Sequence, residues 1–315
     1  MKRAGLAVLL VAAAAVPALA SDFQLFKFTI VLVYAIALLG LNILTGYNGQ
    51  ISLGHGAFYT LGAYAAALLI AYCAIPHWIA LPIAGAVCLV AGFIFALPLV
   101  RLQGTHLALV TFALAMVTPQ FANYKGIERW TGGSQGLALD APQVPFGLPL
   151  SYDQWIFLLT LFVLALLFIL ASNLLGGRIG RALIAIRDQP IAAEAMGIDA
   201  TLYKSLAFGI SAMYTGIAGA LSGMALLYVA PAGIFVSLSF LVGSAVGGIA
   251  TLSGAIYGAL FLQLILLAAG TIAESVKTPA VLAVYGVVVI AFLHLLPGGI
   301  AGLVARFPRW TRRRA

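Results

Sequence analysis

The stretch GRIGRALIAIRDQPIAAEAMGIDATLY, from Gly177 to Tyr203, is the one long polar segment in a chain that is otherwise almost all hydrocarbon. It carries Arg178, Arg181, Arg187, Asp188, Glu194 and Asp199, with Lys204 just beyond. So many charges cannot lie in a bilayer core. The segment must stand outside the membrane, as a defined soluble feature between spans that something in the aqueous phase can read.

On either side of it the chain is apolar. Hydrophobic residues make up 63% of the sequence and charged residues 8%, where a soluble domain has about 25% charged. Lys and Arg sit near the ends of apolar runs and hardly ever within them. That is the pattern of a multi-span helical membrane protein, in which each span needs about 20 apolar residues. A transmembrane barrel would instead show short alternating segments. The expected fold is therefore an all-α integral membrane protein, a polytopic bundle of about 8–10 transmembrane helices with broken or re-entrant helices among them.

Spans are expected near residues 24–44, 54–72, 79–100, 105–123, 154–174, 205–229, 236–250, 255–273 and 280–297. The 236–250 stretch is short enough to be re-entrant or a broken helix. Residues 1–20 read either as a further span or as a signal-like segment, since Ala18-Leu19-Ala20 resembles a signal-peptidase site. A second apolar run follows at once, which favours the span. With it, both termini lie on the cytoplasmic side. The cations then partition as inside loops require. Lys2, Arg3, Arg101, Arg178, Arg181, Arg187, Lys204, Arg306, Arg309, Arg312, Arg313 and Arg314 fall inside, and Lys27, Lys125, Arg129 and Lys277 outside. The division is thus 1–20, a single transmembrane domain over 21–305, and a basic cytoplasmic tail over 306–315. Within the domain, 177–204 faces the cytoplasm and 123–153 faces the periplasm. The net charge of +8 follows from this topology. It suits contact with anionic lipid rather than nucleic acid.

No catalytic constellation is visible. The sequence has no GxxxxGK[ST] phosphate loop, no CxxC, HExxH or GxSxG, and its four histidines have no metal-ligand spacing. Cys73 and Cys88 are the only cysteines and form no disulfide framework. No Asp or Glu lies well inside a predicted span, which argues against a proton relay. The polar groups within spans are uncharged, and Asn42, Asn48, Gln50 and Ser52 cluster around an expected helix break, followed by His55 and Tyr59. These six are the candidate substrate-pathway residues. Neutral dipoles and free helix ends can hold a zwitterion. The same residues also read as glue between helices, and His55 as a packed, hydrogen-bonded core residue.

Glycine concentrates in GYNGQISLGHGAFYTLG (Gly46 to Gly62) and GSAVGGIATLSGAIYG (Gly243 to Gly258), which share a rough order of hydroxyls and aromatics. This is either a short internal repeat or chance likeness in Gly/Ala-rich sequence. The segment 123–153 is expected to be irregular and turn-rich, with TGGSQG at Thr131 to Gly136. In the polar segment, Pro190 suits a first helical turn, Asp188 or Gln189 can cap it, and Gly197 can end it. A helix of about two turns follows, with Ile191, Ala192, Ala195 and Met196 as its apolar face.

At these residues the chain resembles a known family. GRALIAIRDQPIAAEAMGIDATLYK (Gly180 to Lys204), LNILTGYNGQISLGHGAFYTLGAY (Leu41 to Tyr64), TGGSQGL (Thr131 to Leu137) and VGGIATLSGAIYGA (Val246 to Ala259) are similar to stretches of the LivM-type permeases, in the same order. These are the membrane subunits of branched-chain amino acid ABC importers of the bacterial inner membrane. The resemblance implies a second, LivH-type permease subunit, two cytoplasmic ABC ATPase subunits and a periplasmic substrate-binding protein. It implies no cofactor in this chain, ATP and Mg being held by the ATPases, and no enzyme activity of its own. It assigns ATPase coupling to Arg187, Asp188, Pro190, Ala193, Glu194 and Gly197, and periplasmic partner contact to Thr131, Gly132, Gly133 and Ser134. The usual coupling loop of ABC importers has Glu ahead of paired alanines. Here Ala192 and Ala193 precede Glu194, which leaves the role of Glu194 open. Urea and short-amide importers share much of the pattern. A self-sufficient channel or carrier for a small neutral solute is the rival class.

Overall fold

The computed structural model describes residues 16–18, 20–102, 104–141, 144, 149–276, 281–296 and 298–304. Most of the predicted 1–20 segment, Lys277 and the 306–315 tail lie outside the described residues.

Helix α1 (Asp22–Asn42) runs into a π-helical turn (Ile43–Tyr47), and α2 (His55–Cys73), α3 (His77–Leu99) and α4 (Thr105–Ala122) follow. A single turn, α5 (Glu128–Thr131), and strand β1 (Leu137–Ala138) precede α6 (Tyr152–Gly176). The polar segment forms α7 (Arg178–Asp188) and α8 (Pro190–Ala195). Then come α9 (Ala200–Leu226), β2 (Tyr228–Val229), α10 (Ile234–Gly247), α11 (Leu252–Val276) and α12 (Val281–Leu295). Among the described residues, six helices are long and apolar enough to cross a membrane: α1 with its π turn, α2, α3, α4, α6 and α9. The chain is thus an all-α polytopic membrane protein. Helix α10 has 14 residues, about 21 Å at 1.5 Å per residue, against a hydrocarbon core of about 30 Å. It ends at Gly248, whose φ of 118° no other residue adopts readily. This is the expected short, interrupted segment.

Helix α9 is the hub, packing on α1, α2 and α3. Lipid tails are as apolar as leucine, so helices in a bilayer gain most from close backbone approach. Gly62 of α2 and Gly216 of α9 meet backbone to backbone, and a Cβ on Gly62 would overlap Gly216. Around this contact lies a core that includes Ile36, Leu39, Tyr214, Leu221 and Phe240. Large apolar side chains such as Leu109, Phe121, Phe162 and Leu264 point outward, as a lipid-facing surface requires.

The ends of the helices sort into two faces. At one, Tyr72 donates from Oη to the Arg129 carbonyl at 3.2 Å, β1 pairs antiparallel with β2, and Ser151 Oγ donates to Asp22 Oδ1 at 3.0 Å. At the other, the Arg187 guanidinium reaches the end of α1, and Leu102, Arg187 and Lys204 border one cavity. The segment after α4 is more ordered than its turn residues suggest. Besides α5 and β1 it holds a 3₁₀ turn at Gly133–Gln135. The turns are stitched locally, Thr131 Oγ1 donating to the Ala122 carbonyl at 2.7 Å, and the strand finds its partner 91 residues further on, at Tyr228 and Val229.

Candidate functional site

The expected break after the first span is present. The α-helical ladder of α1 widens into the π turn, where Asn48 N–H bonds back to the Ile43 carbonyl and Gln50 N–H to that of Leu44. Such π segments recur where a helix is interrupted for function. Gly46 and Gly49 shape the break. A Cβ on Gly46 would overlap the backbone of Ala250, and Gly49 adopts φ +74° with Arg187 Cγ 2.7 Å from where its Cβ would stand.

The second glycine-rich stretch makes the second break, between α10 and α11, and the two breaks meet. Asn42 Nδ2 donates to the Thr251 carbonyl at 3.1 Å, and Ser244 Oγ donates to Asn42 Oδ1 at 2.8 Å. Asn42 therefore joins the two interrupted hairpins. Ser244 was not singled out from the sequence, nor was Ser237, whose Oγ accepts from Gly56 N–H at 2.8 Å. A signal was available: the two serines stand seven residues apart, on one face of α10.

Ser52 and His55 belong to a different network. Ser211 Oγ donates to the Gly40 carbonyl at 2.7 Å, so toward His55 Nε2, also at 2.7 Å, it accepts. Nε2 thus carries the proton, and Nδ1 accepts from Ser52 Oγ at 3.0 Å. The ring is buried, lying edge-on to Phe58 and tilted against Phe208. His55 is thereby a cross-brace between α2 and α9. Tyr59 is also buried, its ring 5.4 Å from that of Phe240. Asn48 and Gln50 form a third group, with Asn48 Nδ2 donating to Gln50 Oε1 at 2.7 Å. These two line a cavity of about 210 Å³ together with Arg187, Pro190 and Lys204. Five of the six pathway candidates are therefore divided among three sites along the broken helices, and Tyr59 packs apart from them on Phe240.

The coupling segment is built as a bracket. Helix α7 is strongly amphipathic and buries Ala182, Leu183 and Ile186. Pro190 opens α8 at its first position, as expected, and Gly197 follows with φ +83°. Gln189, not Asp188, occupies the N-cap, and its side chain makes no cap bond. The apolar face named from the sequence points to water. Ala193 is the buried residue, packed with Ile186 and Ala200, while Ile191 and Met196 are 84% and 83% exposed. The small alanine allows close seating of α8, and the larger apolar side chains are left facing water. Glu194 and Gly197 are exposed as well.

Arg187 ties this bracket to the membrane domain. Its Nη1 donates to the Gly46 carbonyl at 2.7 Å, and its Nε to Asp188 Oδ1 at 2.8 Å. A cation on a free carbonyl at a helix C-terminus is favourable both as a hydrogen bond and against the helix dipole. The charged segment is thus bonded directly to the break in α1.

On the opposite face, Thr131 and Gly133 are buried, Gly132 is half-buried, and Ser134 stands exposed. Nearby, a cavity of about 440 Å³ lies between α2, α3 and α4, lined by Phe58, Leu61, Tyr64, Phe95, Val117 and Phe121 among others.

The sequence profile of the family described as "Branched-chain amino acid transport system / permease component" matches residues 25–293. The chain is 35% identical over 250 residues to the high-affinity branched-chain amino acid transport system permease protein LivM of Salmonella typhimurium, covering 72% of this chain and 58% of that one. Identity to the LivM protein of Escherichia coli is 34% over the same coverage. A probable branched-chain amino acid transport permease protein LivH of Methanocaldococcus jannaschii is 26% identical over 266 residues, 79% of this chain and 82% of its own. The chain thus spans about 58% of the length of the LivM relatives it matches. No solved structure matches it.

Proposed function

Because the chain belongs to the family of branched-chain amino acid transport permeases, we propose that it is a LivM-type membrane subunit of an ABC importer for branched-chain or related amino acids. It resides in the bacterial inner membrane with the basic segment 177–204 toward the cytoplasm. It works with a LivH-type second permease, two cytoplasmic ATPases that hold ATP and Mg, and a periplasmic binding protein that meets the exposed Ser134 side. This chain hydrolyses nothing itself.

The observation that carries this reading is the bracket at 178–195. It presents two large apolar side chains, Ile191 and Met196, to water on a short helix whose other side is anchored. Surface apolar residues raised on a rigid support suit insertion into a partner groove. When the ATPases close, α8 is displaced. Helix α7 carries that displacement to Arg187, and Arg187 pulls on the Gly46 carbonyl at the α1 break. The break is bonded through Asn42 to the second break at Thr251, so both interrupted hairpins shift together. Such a pair of discontinuous segments is where a membrane transporter opens its path.

The test is reconstitution of the complete importer with Ile191→Ser and Met196→Ser together. Both side chains face water, so the protein should insert and assemble its own fold unchanged. Binding-protein-dependent uptake of L-leucine should fall to background, and a cysteine at position 191 should cross-link to an ATPase subunit. Full uptake by the double variant removes the docking role. Uptake by the isolated chain without any ATPase establishes a carrier instead.

A further inference from the structure

The 210 Å³ cavity beside the bracket gathers three kinds of chemistry that docking does not use. The first is positive charge. Lys204, the fifth residue of α9, is half-buried on the cavity wall and has no ion pair or hydrogen bond among the described residues. Arg187 commits Nε to Asp188 and Nη1 to Gly46, which leaves Nη2 uncommitted among the described residues. The second is an orphan acceptor. Asn48 is 3% exposed, and its Oδ1 is buried with no hydrogen-bond partner among the described residues. Turning the amide over would set Oδ1 against Gln50 Oε1, two acceptors with no proton between them, and orphan Nδ2 as well. A buried polar atom left unpaired is costly, and in native structures such an atom calls for a partner. The third is an apolar wall, Leu107 and Ile186, each 1% exposed.

Cations for a carboxylate, the side-chain amides of Asn48 and Gln50 for an ammonium, and Leu107 and Ile186 for an apolar side chain are together the complement of one class of molecule. The volume sets its size, because sites for drug-sized ligands run to about 300–1,000 Å³ and this one is smaller. We propose that the cavity is a second binding site for a free α-amino acid with an apolar side chain, open to the side of the membrane that bears the coupling segment. This rests on the reading of the chain as an importer of such solutes, and extends it to control. The walls belong to separate parts: Arg187, Ile186 and Pro190 to the bracket, Asn48 and Gln50 to the α1 break, and Lys204 to α9. A ligand that bridges them favours the arrangement seen here over any in which the bracket has moved, and by reciprocity that motion expels the ligand. Solute accumulated inside therefore slows its own import.

The experiment uses the complete importer in two formats. In nanodiscs without binding protein or ATP, tritiated L-leucine should bind. Lys204→Gln and Asn48→Ala should each weaken binding about ten-fold or more, as the loss of one charge-assisted hydrogen bond requires. Lys204→Arg should retain binding. In proteoliposomes, unlabelled L-leucine loaded inside should slow uptake, each variant being scored against its own rate from empty vesicles. Lys204→Gln should need about ten-fold more internal leucine for the same inhibition. Competition by 4-methylpentanoate or inorganic phosphate as effective as that by leucine would mean a simple anion site and overturn the proposal. So would vigorous leucine uptake with no leucine binding in nanodiscs, an outcome that leaves the importer reading standing. Failure of uptake for every branched-chain amino acid would remove the importer reading, and the nanodisc titration would still decide the site.

Discussion

Arg187→Ala removes the bond between the bracket and the α1 break while leaving the exposed docking surface intact. The bond at stake is a guanidinium donating to the Gly46 carbonyl at 2.7 Å. Hydrogen bonds to a charged group contribute about 1.5–3 kcal/mol. The Arg187 side chain is 34% exposed, so solvent screening places it at the low end, about 1.5 kcal/mol. The neighbouring pair with Asp188, whose side chain is 56% exposed, adds little. A loss of about 1.4 kcal/mol in coupling is a factor of ten. In proteoliposomes holding the complete importer, leucine uptake should drop about ten-fold, while ATP hydrolysis stimulated by the binding protein is largely kept. The phosphate released per leucine should therefore rise by about the same factor. Gly49→Val should act through the same joint, since it crowds the Arg187 stem at 2.7 Å and strains a φ of +74°. Its effect and that of Arg187→Ala should be far from additive. An unchanged phosphate-to-leucine ratio in Arg187→Ala refutes transmission through this contact. So does a proportional fall of both activities, which would mean that Arg187 serves docking alone.

Gly62→Ala should destabilise more than Gly216→Ala, because the first new Cβ meets backbone of α9 and the second meets the Cys88 side chain. Thermal unfolding in detergent should show both losses, with overpacking on the order of 1–3 kcal/mol for Gly216→Ala and partial recovery in Gly216→Ala/Cys88→Ala. Ser211→Ala strands His55 Nε2–H and takes one donor from the Gly40 carbonyl, which keeps the Ile43 N–H. It should lower the melting temperature by the equivalent of about 1–3 kcal/mol without altering which amino acids compete for uptake; a changed preference would return His55 to the pathway. A cysteine at Ser134 should react with an impermeant reagent added to the periplasmic side only, and labelling from the cytoplasm would invert the topology.

The apolar runs, their lengths and the clustering of cations at their ends made the membrane bundle legible from the sequence. Both properties are local: span length answers to bilayer thickness, and charge is excluded wherever the chain is buried in lipid. The helix at Pro190–Ala195 was equally readable, since proline at a first turn and glycine after a last one act through their own backbone angles. The break after α1 could be placed for the same reason. What the pattern could not say is which way a short helix faces. Ile191, Ala192, Ala195 and Met196 could be named as an apolar face without saying whether it meets protein or water; Ala193 takes the buried side because Ile186 and Ala200 come together there from either side of α8. Nor could composition separate glue from pathway among Asn42, Asn48, Gln50, Ser52, His55 and Tyr59. The partners of Asn42, His55 and Tyr59, namely Thr251, Ser244, Ser211 and Phe240, lie about 150 to 210 residues away in sequence. A polar side chain in hydrocarbon must find a partner, and this need is written in the residue itself. Which partner it finds depends on the register at which small-residue faces such as Gly62 and Gly216 lock two helices together, and only the packed bundle determines that.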